Sequence, residues 1–168
     1  PLAEVRPSYQ RAWDTHFRLE HDPSQVLGES NIFRYRPLKR VIVRVTAQTR
    51  SFDLERVALA TAICGVPVRL SHPQNALLPQ QIVQYPHITL VEEDEDGLLR
   101  ALHEPSYRFW QRLRVLGSVS DSVREACIET HTPLINAPIV SNGRLELRHY
   151  LLEQAISQTM HRYGNLLS

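Results

Sequence analysis

The sequence predicts an open, mostly parallel α/β sheet with helices packed against its faces. Three observations carry that expectation. Val41–Val45 (VIVRV) is a β-branched run of the kind found in a sheet covered on both faces. A helical stretch follows, stops at Gly65 and leads into a second apolar run, Val66–Ser71, so strand, helix, glycine and strand form a βαβ unit. The alternation then continues to the end of the chain, as a parallel sheet requires.

Taken in order, Tyr9, Trp13 and Phe17 recur at helical spacing, and Asp22-Pro23-Ser24 breaks the pattern. Residues 1–28 are therefore read as a linker or N-terminal helix, 29–157 as the α/β domain and 158–168 as a C-terminal docking tail. Asn31–Pro37 alternates with period two and ends on Pro37, which reads as an edge strand. Ser51 is the expected N-cap of the next helix, with Asp53 and Glu55 complementing its dipole and Gly65 as its stop. After a Pro/Gln/Asn-rich connection holding one helical turn at Leu77–Val83, Ile88–Val91 reads as the third parallel strand. The acidic run Glu92–Asp96 opens a helix through Leu102, Leu113–Leu116 is the fourth strand, and Ser118 or Ser120 caps a helix carrying Val123, Ala126 and Cys127. Thr132–Val140 is a fifth extended segment. Leu145, Leu147, Leu151, Leu152, Ala155 and Ile156 are expected to build one final amphipathic helix, running into His161-Arg162-Tyr163-Gly164-Asn165.

Composition narrows the function classes. The 168 residues are 42% hydrophobic and 22% charged, enough for one domain with a core. A net charge of +1 supplies no global field for nucleic acid or anionic lipid. Cys64 and Cys127 sit in apolar helical patterns and read as buried free thiols, which fits a reducing, cytoplasmic compartment. No apolar run approaches the ~20 residues of a membrane span, and no secretory leader opens the chain. It begins at Pro1 rather than Met, as a fragment or processed product would.

The six glycines form neither G-x-G-x-x-G nor a P-loop, so the glycine-rich phosphate cradles are missing. The eight histidines match no zinc spacing, and neither cysteine has the surroundings of a nucleophile. The acidic run lacks the alternation of a calcium loop and reads as a helix start. Two polar groups remain. Arg34, Tyr35 and Arg36, flanked by Lys39 and Arg40, mix cations with aromatics; a charge-protected or docked edge strand outweighs nucleic acid here, because the rest of the chain is not basic. The other is Arg148, His149 and Tyr150 with the terminal His161, Arg162, Tyr163, Gly164 and Asn165, where His149 is read at the core boundary and the terminal cluster as docked. No residue is assigned to catalysis or to a metal, and cofactor-binding residues are left open.

ESNIFRYRPLKRVIVRV at Glu29–Val45, LERVALATAICGVPVRLS at Leu54–Ser71 and NGRLELRHYLLEQAISQTMHRYGN at Asn142–Asn165 resemble the far C-terminal region of the bifunctional proline utilization A family. Members join proline dehydrogenase to L-glutamate-γ-semialdehyde (Δ1-pyrroline-5-carboxylate) dehydrogenase. The resemblance implies a Rossmann-like domain related to the aldehyde dehydrogenase superfamily, without an active site. It implies a parent oxidoreductase of proline catabolism that uses FAD and NAD, with no cofactor in this piece. It also implies a partner, the aldehyde dehydrogenase module, against which His161, Arg162, Tyr163 and Asn165 clamp the tail so that the intermediate stays enclosed. This chain accordingly has no G-Q-x-C nucleophile segment and no E-L-G-G base segment. The rival readings are a stand-alone nucleotide-binding regulatory module, a small α/β enzyme working through a histidine, and a self-associating homo-oligomer.

Overall fold

The computed structural model describes residues 2–159. Helix α1 (Leu2–Ala12) continues through a π-helical turn at Trp13–Phe17, and Val5, Tyr9, Ala12 and Phe17 are buried. Strand β1 (Glu29–Pro37) then leads into the parallel sheet: β2 (Arg40–Val45), α2 (Ser51–Cys64), β3 (Val68–His72), β4 (Ile88–Glu92), α3 (Glu95–Leu102), β5 (Gln111–Leu116), α4 (Asp121–Glu129) and β6 (Leu134–Ile135). The sheet has five strands in the order β4-β3-β2-β5-β6, all pairs parallel. β2 is central because Val41, Ile42 and Val43 are wholly buried; each such side chain contributes about 1.5–3 kcal/mol. Successive residues of β2 face opposite layers. Val41 and Val43 join α1 and α2 in the larger core, and Ile42 joins Leu98, Leu113, Val123 and Ala126 in the core under α3 and α4.

Local chemistry sets the boundaries. Gly65 ends α2 in the left-handed region at φ 68°, where its N–H bonds the Ala62 carbonyl. Asp94 and Ser120 cap α3 and α4, each accepting from the backbone N–H three residues on. The N-cap position of α2 falls on Arg50 rather than Ser51, and no side chain bonds there. The extended segment expected at Thr132–Val140 contracts to the two residues of β6, since Pro133 and Pro138 limit its ladder.

The largest departure is the final helix. Only α5 (Gly143–Glu146) and a 3-10 turn at Leu147–Tyr150 are helical, and Leu151–Thr159 is strand β7. β7 pairs antiparallel with β1 along nine positions, from Pro37↔Leu151 to Glu29↔Thr159. The two form a separate two-stranded ribbon. Pairing across most of the chain length has overridden the helix propensity of Leu152, Glu153, Gln154 and Ala155. No helix among the described residues is long and apolar enough to cross a membrane.

A buried polar network ties these parts together. Arg114 of β5 and Glu146 of α5 are both fully buried, 3.0 Å apart. Glu146 also accepts from the Tyr150 hydroxyl at 2.7 Å and the Val140 N–H at 3.1 Å, while Tyr9 of α1 donates to the Val140 carbonyl at 2.6 Å. Burial, and then the Glu146 charge, push the Tyr9 and Tyr150 hydroxyls well above their ordinary range, so both remain protonated donors. α1 meets α5 at Gly143, where an added Cβ would lie 2.5 Å from the Ser8 carbonyl oxygen; the Gly143 N–H donates to Ser8 Oγ at 3.0 Å.

Candidate functional site

In a doubly wound sheet the natural crevice lies outside the carboxyl ends of the strands where winding reverses. Here that point lies between β2 and β5. A cavity of ≈ 250 Å³ opens there beside Gln48, Thr49, Asp53, Leu116 and Ile139, and another of ≈ 360 Å³ beside Arg44, Thr46, Glu95 and Ser118. The two loops are laced across the gap. Thr46 and Thr49 both donate to the Leu116 carbonyl, at 2.8 and 2.7 Å, and Gln48 Oε1 accepts from the Ser118 N–H at 3.3 Å. At the start of α2, where a phosphate would meet free N–H groups, stands the Asp53 carboxylate. It is bonded by Arg50 Nε at 2.7 Å, and its Oδ1 is buried without a hydrogen bond among the described residues. Arg56 Nη1 lies 3.9 Å from that Oδ1, so Arg50 and Arg56 together hold the carboxylate as an ion pair at this end of the helix.

Neither thiol is poised as a nucleophile. Cys64 and Cys127 are free and buried, and burial pushes Cys64 far above the thiol range and Cys127 up to about 11. Among the described residues no group of three or more His, Cys, Asp or Glu could hold a metal ion.

The ribbon is the most distinctive exposed feature, and it divides the trio Arg34, Tyr35 and Arg36 between its two faces. Tyr35 turns inward. Its ring meets Phe17 edge-on at 4.9 Å and Phe33 at 5.2 Å, and its hydroxyl lies 3.1 Å from His16 Nε2. Burial, followed by the Arg144 and His21 charges, lowers the His16 pKa, favouring the neutral ring. Arg34 and Arg36 share the opposite face with Ile32, Gln154 and Ile156. Arg34 is held by Glu20 at 2.8 Å and Gln154 at 2.7 Å, whereas Arg36 is exposed and takes no hydrogen bond among the described residues. β7 forms the outer edge of the ribbon, and its residues from Glu153 to Thr159 are exposed. The remaining candidates, His161, Arg162, Tyr163, Gly164 and Asn165, lie outside the described residues.

At the ribbon's base His149 sits half-buried in the 3-10 turn, at the wall of a cleft with Tyr35, Arg112, Arg148, Leu151 and Glu153. Burial first, then the charges of Arg114, Arg148 and Arg112, lower its pKa to about 4. The strand expected at Leu113–Leu116 extends back to Gln111 and so takes in Arg112 as well as Arg114. The available signal was two arginines in a segment otherwise patterned as a central strand, which demands polar partners below the sheet.

This strand order, with helices on both faces, defines a Rossmann-like α/β fold. The expected likeness to proline utilization A is borne out. The chain matches that protein from Corynebacterium freiburgense at 27% identity and a TM-score of 0.68, over 97% of this chain and 14% of that one. It spans only that small share of the larger protein's length. Two more distant matches show the fold alone. One is succinic semialdehyde dehydrogenase from Streptococcus pyogenes, solved with NADP+ as cofactor, at 15% identity and a TM-score of 0.58, over 79% of this chain and 30% of that one. The other is histidinol dehydrogenase from Elizabethkingia anophelis, at 8% and 0.52, over 81% and 35%. No protein-family model and no curated protein matches the sequence.

Proposed function

We propose that this chain is the non-catalytic C-terminal domain of a larger proline-catabolic oxidoreductase. In this reading it packs on the NAD-dependent aldehyde dehydrogenase module of a parent that also carries an FAD-dependent proline dehydrogenase. The observation that carries the reading is the β1–β7 ribbon. It displays an edge strand of nine residues, with no Lys or Pro to protect it, on a domain similar to 14% of a proline utilization A chain. An unshielded edge offers a row of N–H and C=O groups to another polypeptide. Arg34, Arg36 and Ile156 supply side-chain contacts beside that edge, and His161, Arg162, Tyr163 and Asn165 fasten the tail. The benefit is enclosure: covering the passage between two active sites excludes bulk water and keeps the reactive semialdehyde from escaping.

Removing residues 160–168 from the intact parent tests this. NADH formation from proline should acquire a lag, while NADH formation from added semialdehyde stays unchanged. An unchanged lag, or turnover by the 168 residues alone, overturns it.

A further inference from the structure

We propose that the cleft at the base of the ribbon binds a small oxyanion, a carboxylate or phosphate group, between the guanidinium groups of Arg112 and Arg148. The cleft holds ≈ 450 Å³ and draws its walls from four parts of the chain: Tyr35 of β1, Arg112 of β5, Arg148 and His149 of the 3-10 turn, and Glu153 of β7. Its floor is fixed, because Arg112 Nη1 donates to the Arg148 carbonyl at 2.8 Å and so anchors strand to turn. The other N–H groups of Arg112, and the whole Arg148 guanidinium, take no hydrogen bond among the described residues. Arg112 and Arg148 both line this concavity, and a guanidinium fork matches the lone pairs of a carboxylate or phosphate. The His149 ring adds an N–H donor at the wall.

Cations outnumber acids around the cleft. Arg112 and Arg148 line it, and the charges of Arg114 and of Arg144 in α5 act on His149 and Tyr35 respectively. Arg114 is neutralised by Glu146. The opposing carboxylate within the cleft is Glu153, which makes no close ion pair with a described residue but whose charge already acts on Arg112. An anion therefore gains two cations and meets one acid. This makes the effects of substitution opposite in sign: removing an arginine weakens binding, and removing Glu153 strengthens it. The site needs no docked partner and is independent of the proposed role of the ribbon edge.

The test uses the full chain at constant ionic strength, titrated in separate arms with inorganic phosphate and with succinate and followed by NMR of the His149 ring. Saturable binding in either arm should raise the His149 pKa by about one unit as the anion offsets the arginine field. The stronger arm identifies phosphate or carboxylate as the preferred group. Arg148→Gln, at an exposed position, should weaken binding about tenfold, and Glu153→Gln should tighten it. Absence of a saturable His149 response in both arms overturns the proposal. So does a response that Arg148→Gln and Glu153→Gln leave unchanged.

Discussion

Glu146→Gln is the sharpest probe of how the molecule is held together. Both charges of the Arg114–Glu146 pair are fully buried, and Arg114 Nε and Nη1 already lack hydrogen-bond partners among the described residues. Nη2 is bonded only to Glu146, at 3.0 and 3.3 Å. Neutralising the carboxylate leaves a guanidinium buried without its counter-charge. Breaking a buried pair from one side costs about 3–5 kcal/mol, a large part of the roughly 5–15 kcal/mol that stabilises a domain. With a urea slope of about 1–3 kcal/mol/M, the unfolding midpoint should fall by at least about 1 M. Trp13 and Trp110 supply the fluorescence signal. The double variant Arg114→Met/Glu146→Gln removes both charges while the amide oxygen can still accept from Tyr150 or Val140, and it should recover part of the loss, giving a coupling energy of at least about 2 kcal/mol. A Glu146→Gln cost under about 1 kcal/mol, or a double variant as unstable as the sum of its singles, would refute the argument that the two act as one unit.

Gly143→Ala should detach α1, because the new methyl would collide with the Ser8 carbonyl and Tyr9 Cα; the expected cost is about 1–3 kcal/mol, read from thermal unfolding and from faster proteolysis within residues 2–12. Acid should destabilise the fold as pH falls from 6.5 to about 4, since His149 stays neutral in the folded chain over that window while the unfolded chain takes up the proton. The contribution is about 1–2 kcal/mol once reduced for solvent screening of a half-exposed ring, and His149→Gln should flatten that part of a stability–pH curve. Arg36→Glu and Ile156→Asp, both on the outer ribbon face, should alter the stability of the chain itself by no more than about 0.5 kcal/mol while introducing a lag before NADH appears from proline in the proposed parent.

The parts of the fold that could be read from sequence are those decided by near neighbours. VIVRV has few alternatives to a buried strand, and Gly65 and Ser120 mark helix ends through chemistry local to each position. The last segment could not be read in the same way. Leu145, Leu147, Leu151 and Leu152 fit a helical face, and only pairing with residues 29–37 converts the stretch after Tyr150 to strand. Proximity of that kind leaves no mark in a local window. The same reason hid the cleft: Arg112 lies far in sequence from Tyr35, His149 and Glu153, and the fold alone assembles them. For the trio at Arg34–Arg36, the alternating pattern indicated a strand, but not that Tyr35 is held inward by Phe17 and His16 while its neighbours face out.

Amide hydrogen exchange along β7 tests the docked ribbon most directly. In an antiparallel pair, alternate N–H groups of β7 bond to β1 and the others point outward. The outward set should exchange rapidly in the isolated chain and slow by more than about tenfold within the parent enzyme. Equal exchange of those amides in both would contradict the account, because an edge that stays open to water has nothing docked against it.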